Sequence, residues 1–368
     1  MQKIWTVLAY GLLSACLSAC GGGSSSQSPT QTKADPIPYT ATAPGFKLSV
    51  FVKGPASNMK PDSIVQMGSS IFIGYQKVGD VKDGSDPSLT NPVVQYDLKG
   101  NLVKTFTVPG HVDGLMARSD TNELWAMANE DGNPKLTIIN LSTGNQRTLD
   151  PTVNPPTHGG GYDDMQFLNG VVYVSASNPS NPGTHPPTVV SLTFNLNGLT
   201  FDVAPVLNGD DMAIDITPSV GGSPNPNFNL PVPLVLTDPD SLAIAGTNLV
   251  LDSQADGKLV FIKNPSPAQT VSVLSLTLYN DKDGPTMPVD DTRWVPAPGS
   301  SGIFMLFTDA TNTTYRVDGS FSQNDAYSCG QGMVMQLDPN TGHLTPFVVG
   351  IGVAGALQDP HGMLFVPF

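Results

Sequence analysis

His111-Val112-Asp113-Gly114-Leu115, followed by a turn and Asn122-Glu123-Leu124-Trp125-Ala126-Met127, decides the fold of this 368-residue chain. An aspartate opens a short apolar strand, the chain turns, and a second apolar strand returns. The pattern recurs. Pro61-Asp62-Ser63-Ile64 precedes Ser70-Ile71-Phe72-Ile73-Gly74-Tyr75, and Asp163-Asp164-Met165 precedes Val171-Val172-Tyr173-Val174-Ser175. Pro239-Asp240-Ser241-Leu242 precedes Asn248-Leu249-Val250-Leu251, and Asp290-Asp291-Thr292 precedes Gly302-Ile303-Phe304-Met305-Leu306-Phe307. Pro360-His361-Gly362-Met363 opens a last copy at the C-terminus. A unit of this size cannot bury its apolar faces alone, so its repetition signals a stacked repeat architecture.

The spacing supports the repeat. Asp62 to Asp113 is 51 positions, Asp113 to Asp163 is 50, and Asp240 to Asp290 is 50. Asp163 to Asp240 is 77 and Asp290 to His361 is 71, and irregular insertions at 208–237 and 311–331 account for the excess. A further loop spans 77–92. The second unit predicts four strands, at 114–118, 123–128, 135–141 and 145–149. Its last hairpin turns at Leu141-Ser142-Thr143-Gly144-Asn145, with counterparts at Asp97–Asn101, Asn195–Gly198 and Asp338–Gly342. Asn, Asp and Gly suit the positive φ of tight hairpins. Period-two alternation is clear in Val93-Val94-Gln95-Tyr96, and no helical periodicity follows the leader.

The expected fold is all-β, a β-propeller. Strand 46–52 has no unit before it and strand 362–368 has nothing after it. Joining the two in one sixth blade would remove the exposed edges of an open array. That blade would have three strands if 37–42 also pairs, and five complete repeats with loose ends is the competing count.

Charged residues are 13% of the chain, with 37 Gly and 34 Pro, which fits short strands joined by turns. The net charge of −14 argues against a nucleic-acid partner, because phosphate binding needs a basic surface. Cys16, Cys20 and Cys329 are the only cysteines, so no internal disulfide framework is expected.

Lys3 and the apolar run Ile4–Leu13 read as a secretory signal over residues 1–20. Leu17-Ser18-Ala19-Cys20-Gly21 resembles the lipobox of bacterial lipoproteins, in which the cysteine is acylated. Leu13-Ser14-Ala15-Cys16 has the same shape, but Cys20 is preferred because the Gly/Ser/Pro tether of residues 21–38 follows it directly. Residues 39–368 would form the propeller. The resemblance implies a membrane partner through the lipid. Gly21, where an inner-membrane retention signal would have Asp, implies an outer membrane, with a periplasmic or surface-facing domain.

The repeats themselves resemble those of six-bladed NHL-type and gluconolactonase (regucalcin-like) propellers, on Val112-Asp113-Gly114-Leu115, Asn122-Glu123-Leu124-Trp125-Ala126 and Asp359-Pro360-His361-Gly362-Met363. In the lactonases an aspartate, an asparagine and a glutamate hold a divalent cation in the central cavity. Asp113 or Asp240 would match the aspartate, but no Gly-Glu-Gly-Pro-like element near the N-terminus supplies the glutamate. A module that binds a small molecule or a protein is therefore preferred over a metal-dependent lactonase or esterase.

Geometry gives the site candidates. Residues entering the innermost strands should gather at the central opening. That places Asp62, Asp113, Asp163 or Asp164, Asp240, and Asp290 or Asp291 together with His361. As metal ligands, Asp62, Asp113, Asp163, Asp240 and Asp290 would suit Ca2+ or another divalent cation, which takes 6–8 oxygens in flexible geometry. The competing role is structural, since aspartates at strand starts accept backbone N–H groups. His361 and His111 are the candidate general bases, and His158 and His185 lie in loops flanking the third unit. Asp281-Lys282-Asp283-Gly284 lacks the terminal glutamate of a calcium loop, with Thr292 in its place, and reads as a turn.

Overall fold

The computed structural model describes residues 43–153, 159–177, 185–196, 198–220, 222–265, 268–278, 286–349 and 357–368. The chain divides into two units, Met1–Pro36 and Ile37–Phe368, and all the described residues belong to the second. Cys16, Cys20, the tether, a strand at 37–42, His158 and the Asp281–Gly284 turn lie outside the described residues.

The described residues are all-β, in a propeller-like arrangement of four-stranded antiparallel sets. The first set is Met59–Met67, Ser70–Lys77, Thr90–Asp97 and Leu102–Pro109. The second is Val112–Arg118, Glu123–Ala128, Lys135–Asn140 and Gln146–Pro151. The third is Met165–Leu168, Val171–Ser175, Pro187–Phe194 and Thr200–Asn208. The fourth is Pro239–Ala245, Asn248–Ser253, Lys258–Lys263 and Thr270–Ser275. The first strand of each set touches the first strand of the next, and the ring returns to Met59–Met67 through Asp291–Trp294 and Pro360–Pro367.

The last two sets differ from the sequence reading. The fifth is Asp291–Trp294, Ala326–Gly330, Met333–Asp338 and His343–Val349. The hairpin Ile303–Asp309 and Thr313–Asp318, expected as the second strand and insertion of the fifth unit, leaves that unit. It forms the middle of a sixth set, in the order Pro360–Pro367, Ile303–Asp309, Thr313–Asp318, Lys47–Lys53. The N- and C-terminal strands do share one sheet, but a borrowed hairpin separates them. Four strands rather than three complete that set, and both partners of each middle strand are satisfied.

Six apolar clusters fill the spaces between neighbouring sets. Strand alternation makes this possible. Along Ile303–Asp309, Met305 and Phe307 face the fifth set while Phe304 and Leu306 face the first. Each such buried side chain contributes roughly 1.5–3 kcal/mol. Trp125 packs in the same way between the second and third sets. The insertion at 208–237 forms extra strands outside the fourth set: Met212–Asp215 pairs in parallel with Thr270–Ser275, and Pro231–Pro233 pairs with Met212–Asp215.

Candidate functional site

Four of the six entry residues, Asp62, Asp113, Asp240 and His361, sit on bulges. Pairing of the first two strands skips between Pro61 and Ile64, between Val112 and Leu115, and between Pro239 and Leu242. In the sixth set it skips between Pro360 and Met363. A bulge re-aims the side chains it carries. Here it turns the entry residue toward the central mouth.

The mouth is a cavity of about 200 Å³. Ten carboxyl residues line it: Asp62, Asp113, Glu130, Asp131, Asp163, Asp164, Asp238, Asp240, Asp290 and Asp291. The cationic lining is Lys60, Lys82, Arg293 and His361. All five entry aspartates named from the sequence, and His361, are in it.

Their ligating atoms do not all lie close to one another. Among the described residues, no group of three or more mutually close ligating atoms contains two of the entry aspartates. The groups close enough to share an ion are His111–Asp113–Glu130, Asp290–Asp359–His361 and, away from the mouth, His185–Asp210–Asp211. The physical reason is that each entry carboxyl has a nearer partner. Asp113 Oδ1 meets His111 Nδ1 at 2.6 Å and accepts from Gln76 Nε2 at 3.1 Å, and its Oδ2 accepts the Glu130 N–H at 3.0 Å. Asp163 and Asp240 are hydrogen-bonded to each other, and Asp163 also to Glu130. Asp290 Oδ2 meets His361 Nδ1 at 2.6 Å and accepts from Gln254 Nε2 at 2.7 Å. Asp62 stands 3.9 Å from His361 Nδ1.

Burial and mutual repulsion raise the pKa of Asp62, Asp113, Asp163 and Asp240. Burial pushes the Asp62 carboxyl up to about 6, with Asp290 adding to the rise and His361 opposing it. Burial also drives Asp113, Asp163 and Asp240 well above the ordinary carboxylate range, and the Glu130 charge adds to each. Glu130 goes the other way: burial raises it, but the Lys82 ammonium on its carboxylate outweighs that and holds it low.

Asp164 and Asp291 line the mouth but serve the frame. Asp164 Oδ2 accepts the Leu242 N–H at 3.0 Å, and Arg293 lies 3.4 Å from it. Asp291 Oδ2 accepts the Met363 N–H at 2.7 Å, while its Oδ1 pairs with Arg293 at 2.6 Å. The choices between Asp163 and Asp164, and between Asp290 and Asp291, therefore resolve by set: the first of each pair takes its partners within the mouth ring, and the second braces the next set.

The two histidine bases fare differently. His111 is 3% exposed and does not line the mouth. Burial lowers its pKa, and its ring meets Asp113 at 2.6 Å. His361 does face the mouth. Burial disfavours its charge, but Asp290, Asp359 and Asp62 outweigh that and hold the imidazole protonated well above its ordinary range. A base that keeps its proton is poorly suited to taking another. His185 is exposed beside Asp210, at 2.5 Å.

Sequence reasoning missed Lys60, Lys82, Glu130, Asp238, Gln254 and Arg293. A signal existed for two contacts. Gln76 and Gln254 occupy the same position, one residue past the partner of Pro61 and of Pro239. Each donates to the entry aspartate of the following set, Asp113 and Asp290.

No protein-family model matches the chain, and no curated protein matches it. Among solved structures it is similar to a nidogen/laminin complex, at 10% identity and a TM-score of 0.49, over 89% of this chain and 97% of that one. It is similar to U3-55K at 12% identity and 0.41, over 82% and 85%. It is similar to the Malassezia sympodialis allergen Mala s 1 at 9% and 0.40, over 72% and 79%. These likenesses are too distant to carry an argument, and the propeller-like fold rests on the strand pairing described above.

Proposed function

We propose that this chain is a lipid-anchored, extracytoplasmic β-propeller that binds a cationic ligand at its central mouth. The observation that carries this reading is the charge of the cavity. Ten carboxyl residues face one space with Lys60, Lys82, Arg293 and His361. A low-dielectric cavity in which acidic groups outnumber basic ones concentrates cations, and a bound cation would offset the burial and repulsion that raise Asp62, Asp113, Asp163 and Asp240. Calcium chloride, manganese chloride and spermidine titrated into the protein at about pH 8 should each be tested for a rise in melting temperature. A flat response to all three would overturn the reading.

The anchor is supported by the lipobox-like sequence ending at Cys20. Cys20→Ala should move the protein from the membrane fraction to the soluble one, and unchanged fractionation would remove the anchor. The lactonase reading has less support. His361, the histidine that reaches the mouth, is held protonated.

A further inference from the structure

We propose that the ligand of the mouth is an alkylammonium compound, a linear amine whose charged nitrogen takes the place now filled by the Lys82 ammonium. This inference rests on the reading of the mouth as a cation site and names the class of cation. The carboxyl groups alone would not choose between a metal and an amine. The seated ammonium does.

Lys82 comes from the connection that follows Ser70–Lys77. That connection lies across the second set as a strap. The Asp131 N–H donates to the Lys82 carbonyl at 3.1 Å, and Asn133 Nδ2 donates to the Asp83 carbonyl at 2.9 Å. From the strap the Lys82 side chain, 48% exposed, reaches the far better buried Glu130. Glu130 is hydrogen-bonded to Asp163, and Asp163 to Asp240. The ammonium thus caps a row of carboxyl groups that leads into the mouth.

The other cations lining the mouth are committed or unpaired. Arg293 joins Asp164, Asp291 and the Leu242 carbonyl, and bridges two sets. His361 is paired with Asp290. Lys60 forms no ion pair among the described residues. Lys82 alone combines a carboxylate in the mouth with a half-exposed stem, so it can swing out without opening the ring.

An amine also fits the space better than a bare ion. A cavity of about 200 Å³ holds several waters' worth of volume, and its carboxyl groups are spread around it. A metal needs its oxygens around one point. An ammonium donates three hydrogen bonds and tolerates scattered acceptors. A second ammonium on the same molecule would meet Asp62, which has no closer cation than His361.

The test is isothermal titration of the full chain with 1,5-diaminopentane, with 1,5-pentanediol as its neutral analogue and calcium chloride in parallel. The diamine should bind and the diol should not. Lys82→Met should bind the diamine about fivefold tighter, the effect of removing a half-exposed competing ion pair. Lys82→Arg, which keeps a cation in place, should bind as the unaltered chain does. Equal or weaker diamine binding by Lys82→Met would overturn the role of Lys82. Binding of calcium without the diamine would overturn the ligand class while leaving the cation site standing. Binding of neither would remove both.

Discussion

The Asp291 carboxylate of the fifth set accepts the backbone N–H of Met363 in the sixth at 2.7 Å. The same contact occurs between Asp164 and Leu242 at 3.0 Å, from third set to fourth, and between Ser63 and Leu115 at 2.9 Å, from first to second. The acceptor always follows the entry residue, and the donor always lies two residues past the entry residue of the next set. Odd sets supply the acceptor. Even sets carry Gly114, Ser241 and Gly362 at that position. The ring is therefore braced in three pairs of sets.

Removing an acceptor should loosen the ring in proportion to its burial. Asp291→Ala leaves the Met363 N–H without its acceptor and takes from Arg293 the nearer of its two carboxylates, and should cost about 3 kcal/mol. Ser63→Ala, which deletes a neutral acceptor, should cost about 1 kcal/mol. Chemical denaturation of the two variants measures the difference. Equal costs would show that the carboxylate is not a brace.

The glycines of the even sets should be equally intolerant. A Cβ on Gly114 would collide with the Asp163 backbone, and one on Gly362 would meet the Asp62 carbonyl and the Ser63 backbone. Gly114→Ala and Gly362→Ala should each lower stability by several kcal/mol, on the order of other overpacked sites. Gly246, at φ +63° with open space around its missing Cβ, is the control. Gly246→Ala should cost only about 1 kcal/mol, from the backbone conformation alone. Thermal unfolding of the three variants reads the ranking.

Stability should fall as pH rises from about 4 to about 7. Burial raises Asp62 to about 6 and Asp291 to about 7 from an ordinary value of 3.8. Through that window the folded chain binds more protons than the unfolded one, so the slope of unfolding free energy against pH is negative. The raised His361 acts in the same direction once pH passes its ordinary 6.5. The lowered His111 opposes them below 6.5. With more groups on the first side, melting temperature should be higher at about pH 5 than at about pH 8. A higher melting temperature at about pH 8 would mean that the ring carboxyls are ionised in the folded protein.

The outer strand of the sixth set should be indispensable. Lys47–Lys53 pairs along Thr313–Asp318, and Val52 is buried against the first set. A chain beginning at residue 43 should unfold cooperatively. One beginning at residue 55 leaves Thr313–Asp318 as a bare edge and should aggregate. Light scattering and circular dichroism during heating distinguish the two.

Much of this was legible in the sequence. A period of 50 or 51 residues, turn chemistry at the hairpins and alternating strands sufficed for an all-β propeller with its entry aspartates at one opening. What misled the reading was Ile303–Asp309. Its spacing and apolar pattern suit a second strand of the fifth unit, yet it pairs with Pro360–Pro367. A strand stacked between two sets is apolar on both faces, as the run Ile303–Phe307 is, so its pattern does not say which set it joins.

The sequence by itself determined the repeat, the strands, and which residues would stand at the entry of each inner strand, because these follow from local periodicity and turn propensity. The tertiary structure alone decided which of two adjacent aspartates faces the mouth ring and which braces the next set, why His111 is buried beside Asp113, and how Lys82 reaches Glu130. Those outcomes depend on bulges and on contacts between residues far apart in the chain, where the nearest hydrogen-bond donor, and not the residue type, fixes what a carboxylate does.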